Sequence, residues 1–118
     1  MADQQKVSLK SWGFYSPFSS PEAAAVKVLV KFLATIREIT VEPSTELLCN
    51  PWDTARTLMR ELAKKYGQKF EQVTMEGANL KPGIKIIING RDIDYLNGLD
   101  TQLKDGDVIV IIPPIAGG

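Results

Sequence analysis

The residues with the most to offer chemically are Gly117 and Gly118, which close the sequence. Neither carries a Cβ, so a chain ending here threads a channel too narrow for other residues and leaves its terminal carbonyl unhindered. The expected chemistry is activation of the Gly118 carboxylate by another protein. Behind the glycines stand Pro113, Pro114, Ile115 and Ala116, a spacer whose two prolines fix φ and donate no ladder hydrogen bond. Fully extended, residues 113–118 reach roughly 20 Å at about 3.3 Å per residue. A frayed, Gly-rich end is the plain alternative. At about 7% glycine usage a Gly-Gly terminus arises by chance roughly once in two hundred chains. The apolar run Val108–Ile112 just before the prolines, and the Asp105-Gly106-Asp107 turn before that, sharpen the functional reading.

No internal catalytic set accompanies this tail. The sequence has no histidine, which removes Ser-His and Cys-His catalysis and the common zinc sites. It has no Gly-rich phosphate loop either, so no bound cofactor or metal is expected. Cys49 has no basic neighbour in sequence to lower its pKa, and a small core residue is the stronger reading than a nucleophile. A lone cysteine forms no internal disulfide, which fits a cytoplasmic protein. Lys and Arg total 14, as do Asp and Glu, so neither nucleic acid nor an anionic membrane is an expected partner. No apolar run reaches the ~18 residues of a membrane span, and no signal-peptide pattern opens the sequence. The chain is expected to be no enzyme by itself; a partner supplies the catalytic groups.

The elements that must hold the tail follow from the pattern. One domain is expected from 118 residues. Residues 1–25 show no periodic apolar pattern, yet contain Trp12, Phe14, Tyr15 and Phe18. They read as a flexible N-terminal extension or as a docking segment, and the sequence leaves both open. Residues 26–112 form the domain proper and 113–118 the tail. Val26, Val28, Val30 and Phe32 alternate with Lys27, Leu29, Lys31 and Leu33, which makes a strand with the first set inward. A loop is expected over 34–43 and a second, antiparallel strand over 45–49.

Asp53 or Thr54 caps a helix whose apolar face is Ala55, Leu58, Met59, Leu62 and Tyr66, ended by Gly67. Glu61 is placed to pair with Lys65. A long connection over 68–83 holds a short helical turn at Phe70 and Val73 and a turn at Lys81-Pro82-Gly83. Residues 84–88 form a strand, Asn89-Gly90 a hairpin turn, residues 91–93 a short return strand, and 96–103 a loop or 3-10 turn. One amphipathic helix covers one face of one sheet, so the fold class is α+β in two layers. The first and last strands are apolar enough to lie centrally.

With this order established, the sequence resembles the ubiquitin-like, β-grasp sulfur carriers, above all the small subunit of molybdopterin synthase. The resemblance rests on Lys31-Phe32-Leu33-Ala34-Thr35-Ile36-Arg37-Glu38-Ile39, Leu80-Lys81-Pro82-Gly83, Ile88-Asn89-Gly90-Arg91-Asp92-Ile93, Leu99-Asp100-Thr101, Leu103-Lys104-Asp105-Gly106-Asp107 and Pro113-Pro114-Ile115-Ala116-Gly117-Gly118. It covers residues 26–118. Residues 1–25 are a departure, since family members usually begin at the first strand. The stretch from Leu80 to Leu103 is similar to archaeal-type members, some of them akin to small protein modifiers.

The resemblance implies a β-grasp domain: a mixed sheet with one main helix packed on one face. It further implies that an E1-like adenylyltransferase uses ATP to adenylate Gly118, with Gly117 beside it, and that sulfur then replaces one oxygen to give a thiocarboxylate. In molybdopterin synthase such a tail enters the large subunit and gives its sulfur to a pterin precursor, with a sulfurtransferase as a further partner. The other readings are a carrier for tRNA thiolation, thiamine or cysteine synthesis, and a modifier joined through Gly118 to lysines of target proteins. A plain structural domain remains a third class.

Strand alternation adds a surface. Ile84, Ile86 and Ile88 face inward with the first-strand set, which leaves Leu29, Leu33, Lys85 and Ile87 outward. The phase of Val108–Ile112 is ambiguous from pattern; the resemblance puts Ile112 outward. Leu33, Ile87 and Ile112 then form an apolar partner-binding patch, or else scattered surface hydrophobics. The resemblance adds Arg37 to the partner-binding set.

Overall fold

Alternation makes the first element a strand. In β1 (Val26–Phe32) Val26, Val28, Val30 and Phe32 are buried while Lys27 and Lys31 are exposed. The computed structural model describes residues 25–114. The expectations for residues 1–24, with Trp12, Phe14, Tyr15 and Phe18, and for Ile115, Ala116, Gly117 and Gly118 lie outside the described residues.

After β1 come α1 (Ala34–Thr40), β2 (Ser44–Cys49), α2 (Ala55–Tyr66) and α3 (Gln68–Thr74). A two-stranded hairpin follows, β3 (Met75–Glu76) and β4 (Asn79–Leu80), then β5 (Lys85–Ile88) and β6 (Arg91–Asp92). Two 3-10 turns, at Ile93–Tyr95 and Gly98–Asp100, lead to β7 (Val108–Ile112). The main sheet has the order β2-β1-β7-β5-β6. β1 runs antiparallel to β2 and parallel to β7, and β5 runs antiparallel to both β7 and β6. The first and last strands are therefore adjacent and interior, as their apolar content predicts. The parallel pair requires the rest of the chain as its crossover.

One face of this sheet meets α2. Ala55, Leu58, Met59 and Leu62 are buried, against a sheet layer that includes Leu47, Cys49, Ile86, Ile88, Ile109 and Ile111. Burial of each large apolar side chain contributes about 1.5–3 kcal/mol. Of the two candidate caps, Thr54 is the N-cap: its side chain accepts from the Thr57 N–H while Thr57 Oγ1 accepts from the Thr54 N–H. Asp53 is buried and accepts the Asn50 N–H at 2.7 Å. Phe32, Tyr66 and Phe70 close the other end of the core, with Phe32 edge-on to Tyr66 at 5.3 Å and to Phe70 at 6.3 Å.

Four local expectations are corrected. Residues 34–40 form a helix rather than a loop: Thr35, Ile36, Ile39 and Thr40 are β-branched, poor helix formers, but Ile36 and Thr40 are buried and Ile39 packs against the core. Tertiary burial overrides propensity there. The 68–83 connection contains a full helix, α3, and the β3–β4 hairpin, because Phe70 and Thr74 are buried on one side of that helix. The third sheet strand starts at Lys85, with buried Ile84 leading into it, and the return strand ends at Asp92, with Ile93 opening a 3-10 turn. Glu61 pairs with Lys64 at 3.2 Å, one residue short of the expected Lys65, whose ammonium lies 5.5 Å from the Tyr66 ring centre.

Candidate functional site: the tail exit and the open sheet face

Parallel pairing sets where the tail leaves. The C-terminal ends of β1 and β7 lie together, with the start of antiparallel β5 beside them. The Leu33 N–H donates to the Ile111 carbonyl at 3.3 Å, so the chain entering α1 flanks the end of β7. On the opposite flank, the Lys81-Pro82-Gly83 turn is closed by the Ile84 N–H donating to the Lys81 carbonyl at 3.1 Å. Gly83 adopts φ +91°, and a Cβ on it would lie 2.9 Å from both Cβ and Cγ of Pro114. Pro113 is buried and Pro114 exposed. The body of the domain thus extends one residue past Ile112, and Pro114 is the first exposed residue after it.

β7 also resolves the phase that its sequence leaves open. Ile109 and Ile111 are buried under α2, so Val108, Val110 and Ile112 face the other way and are half-buried. On that open face Ile112 lies opposite Lys85, and Val110 lies between Lys31 and Ile87. The structure places Leu33, Ile87 and Ile112 on the side away from α2; Leu33 is exposed, while Ile87 and Ile112 keep part of their surface in solvent. Ion pairs border this apolar strip. Lys85 reaches Asp94 at 3.2 Å and Asp92 at 3.4 Å, and Lys27 reaches Glu46 at 3.9 Å. The Lys85 ammonium is raised above its ordinary pKa, first by the Asp94 hydrogen bond and then by the charge of Asp92. Such exposed pairs contribute little to stability; they set charge beside an apolar strip that also has Lys31 next to Val110.

Arg37 belongs to the same end but not to the sheet. It is exposed on α1, lining a shallow hollow with Ala34, Glu38 and Val41, and its guanidinium has no hydrogen-bond or ion-pair partner among the described residues. Cys49 is buried, and desolvation, followed by the charges of Asp53, Glu61 and Asp107, pushes its thiol well above the ordinary range. A protonated thiol in the core is no nucleophile. A separate cavity of about 260 Å³ between α2 and the α3–β3 segment has none of the tail-exit residues in its lining.

Gly83 is the site residue that sequence reasoning missed. The Lys81-Pro82-Gly83 signal announces a turn, but contact with a proline 31 positions later is a tertiary event.

Residues 30–118 match the family described as the ThiS family. The chain belongs to the ThiS family. A protein of Archaeoglobus fulgidus, provisionally named a sulfur carrier, is 32% identical over 77% of this chain and 98% of its own length. The solution structure of small archaeal modifier protein 1 from Methanosarcina acetivorans has a TM-score of 0.67 at 33% identity, covering 80% of this chain and 98% of that one. A Pyrococcus furiosus structure, provisionally named molybdopterin converting factor subunit 1, has a TM-score of 0.61 at 29% identity over 76% of this chain and 99% of its own. This ThiS-family member is therefore a ubiquitin-like β-grasp protein of the sulfur-carrier and modifier kind. Among its described residues no helix is long and apolar enough to cross a membrane.

Proposed function

We propose that the protein carries sulfur on its C-terminal glycine for molybdopterin, the organic part of the molybdenum or tungsten cofactor. The observation that carries the reading is the end of β7 at Ile112, followed by a buried Pro113 and an exposed Pro114 seated on the Gly83 turn, with Gly117-Gly118 closing the four residues that follow in sequence. A carboxylate is a poor electrophile, so it must first be activated. An oxygen of the Gly118 carboxylate attacks the α-phosphorus of ATP on an E1-like adenylyltransferase, pyrophosphate leaves, and an acyl adenylate results. The outer sulfur of a sulfurtransferase persulfide then attacks the acyl carbon, and AMP departs with one original carboxylate oxygen. A thiol cleaves the resulting acyl disulfide, leaving as a disulfide with the sulfurtransferase, and a thiocarboxylate remains.

Pro113, Pro114, Ile115 and Ala116 carry the thiocarboxylate into the molybdopterin synthase large subunit, which contributes the catalytic groups this chain lacks. Tethering there raises the local sulfur concentration. Leu33, Ile87 and Ile112, with Arg37 at the edge, form the surface both enzymes grip, and the protein works in the cytoplasm. The domain is residues 26–112 and the tail 113–118, preceded by an extension over 1–25. The sequence motif at 113–118 and the name of the Pyrococcus relative favour the molybdopterin pathway.

The test is ATP–pyrophosphate exchange with the E1-like enzymes of the host. Exchange is expected with a chain ending at Gly118 and lost when one residue is added after it. Absence of exchange with every such enzyme would sink the carrier reading. The second reading, conjugation to target lysines, is favoured by the name of the Methanosarcina relative and shares the adenylation step; it is distinguished by an isopeptide product.

A further inference from the structure

Val41 occupies a backbone conformation its side chain disfavours. Its φ is +68° and ψ −28°, in the left-handed region, where a β-branched residue is an outlier. Burial gives no compensation, since Val41 is 81% exposed. Glycine or asparagine holds such a position with less strain. The neighbours fix the conformation from both sides. The Val41 N–H donates to the Arg37 carbonyl at 2.8 Å, closing α1. Buried Thr40 donates its hydroxyl to the Glu42 carbonyl at 2.7 Å, and the Glu42 carboxylate accepts the Tyr66 hydroxyl at 2.7 Å. The Phe32 N–H donates to the Pro43 carbonyl at 2.9 Å. With positions 40, 42 and 43 held, residue 41 is left-handed whatever its type. Fold stability gives no reason for a valine here.

Its location gives one. α1 follows β1 and packs against β7 at the end where the tail departs. Val41 and Leu33 cap the two ends of α1, eight residue steps apart, which is about 12 Å of helical rise from the exit. The four residues after Pro114 reach about 14 Å when fully extended. An enzyme that holds Gly118 in its active site must therefore cover this end of the domain. There Val41 presents an exposed apolar side chain next to Arg37, a cation with no ion pair among the described residues.

We infer that Val41 is a binding residue for the enzyme that activates the tail, seated with Arg37 against a partner surface that offers an apolar side chain and a carboxylate. This rests on the reading that Gly118 is activated by an adenylating enzyme. It accounts for the strain: a residue unfavourable to the free domain is kept for contact in the complex.

Stability and binding should move in opposite directions when Val41 is replaced. Val41→Gly and Val41→Asn are expected to raise the unfolding midpoint by about 5 °C and to raise KM for this protein roughly tenfold in the adenylation assay, with kcat unchanged. Val41→Thr keeps the branching and the strain but adds a hydroxyl; its midpoint should stay put while KM rises. If both relaxed variants gain stability at unchanged KM, Val41 is only a strained surface residue and the inference fails while the carrier reading stands. If the wild-type chain is not adenylated at all, both fall.

Discussion

Gly83 lies against Pro114, with its φ at +91° and no room for a Cβ, which would come within 2.9 Å of two atoms of the proline ring. The contact joins the turn before β5 to Pro114, so the last described residue is seated by a glycine far away in sequence.

Gly83→Ala should therefore act twice. A left-handed alanine and a displaced Pro114 together should destabilise the domain by about 1–3 kcal/mol, and tail activation should fall because the exit is redirected. Gly77 provides the control: its φ is +65° but a Cβ there meets nothing within 4 Å. Gly77→Ala should show only backbone strain, with tail activation intact. Denaturant unfolding and adenylation rates of the two variants make the comparison. Equal effects of both on activation would mean that the Pro114 contact does not guide the tail.

The open sheet face yields a prediction about binding. Leu33→Asp should weaken binding to the adenylating enzyme by about 2–5 kcal/mol, since it sets an unpaired charge in the interface. Ile112→Asp should weaken it less, because Lys85 lies opposite and can pair with the new carboxylate. Unfolding midpoints should change little for Leu33→Asp, which starts at 41% exposure, and somewhat more for half-buried Ile112. Titration calorimetry and thermal unfolding decide it. Unchanged affinity in both variants would remove this face from the interface.

Two raised acids predict an alkaline limit. Burial, chiefly, raises the Cys49 thiol, and burial together with the Glu42 hydrogen bond raises the Tyr66 hydroxyl. Each group holds its proton more tightly in the folded state than at its ordinary value of 9.0 or 10.0. Their stabilising contribution is full below those values and declines as pH rises above them, because the unfolded chain ionises first. The unfolding midpoint should be level from about pH 7 to pH 9 and fall beyond, with a shallower fall in Tyr66→Phe. A midpoint still level at about pH 11 would show that neither proton is linked to folding.

A chain starting at Ala25 is expected to unfold at the temperature of the full sequence. The reason is the lack of apolar periodicity over residues 1–25. A large drop would assign Trp12 or Phe14 to the core.

Periodicity explains what could be read in advance. The alternation in Val26–Phe32, the helical face from Ala55 to Tyr66 and the Asn89-Gly90 turn are local signals, and each produced the element it announced. α1 was hidden because its helix is formed by burial of Ile36 and Thr40 against the propensity of its own residues. The facing of Val108–Ile112 was hidden because an apolar run in a central strand carries no phase; only pairing with β1 and β5 sets it. Gly83 and Val41 were hidden for a third reason: one is defined by a contact across the fold, the other by the hydrogen bonds of Thr40, Glu42 and Tyr66 around it.

The central claim is that Gly118 carries sulfur, and intact-mass analysis of the protein purified from its native host tests it most directly. The account predicts a population heavier than the encoded chain by the exchange of one oxygen for one sulfur, confined to the C-terminal peptide and lost on mild hydrolysis. A terminus found only as the free carboxylate under conditions of active cofactor synthesis, or only as an isopeptide on target lysines, would contradict it.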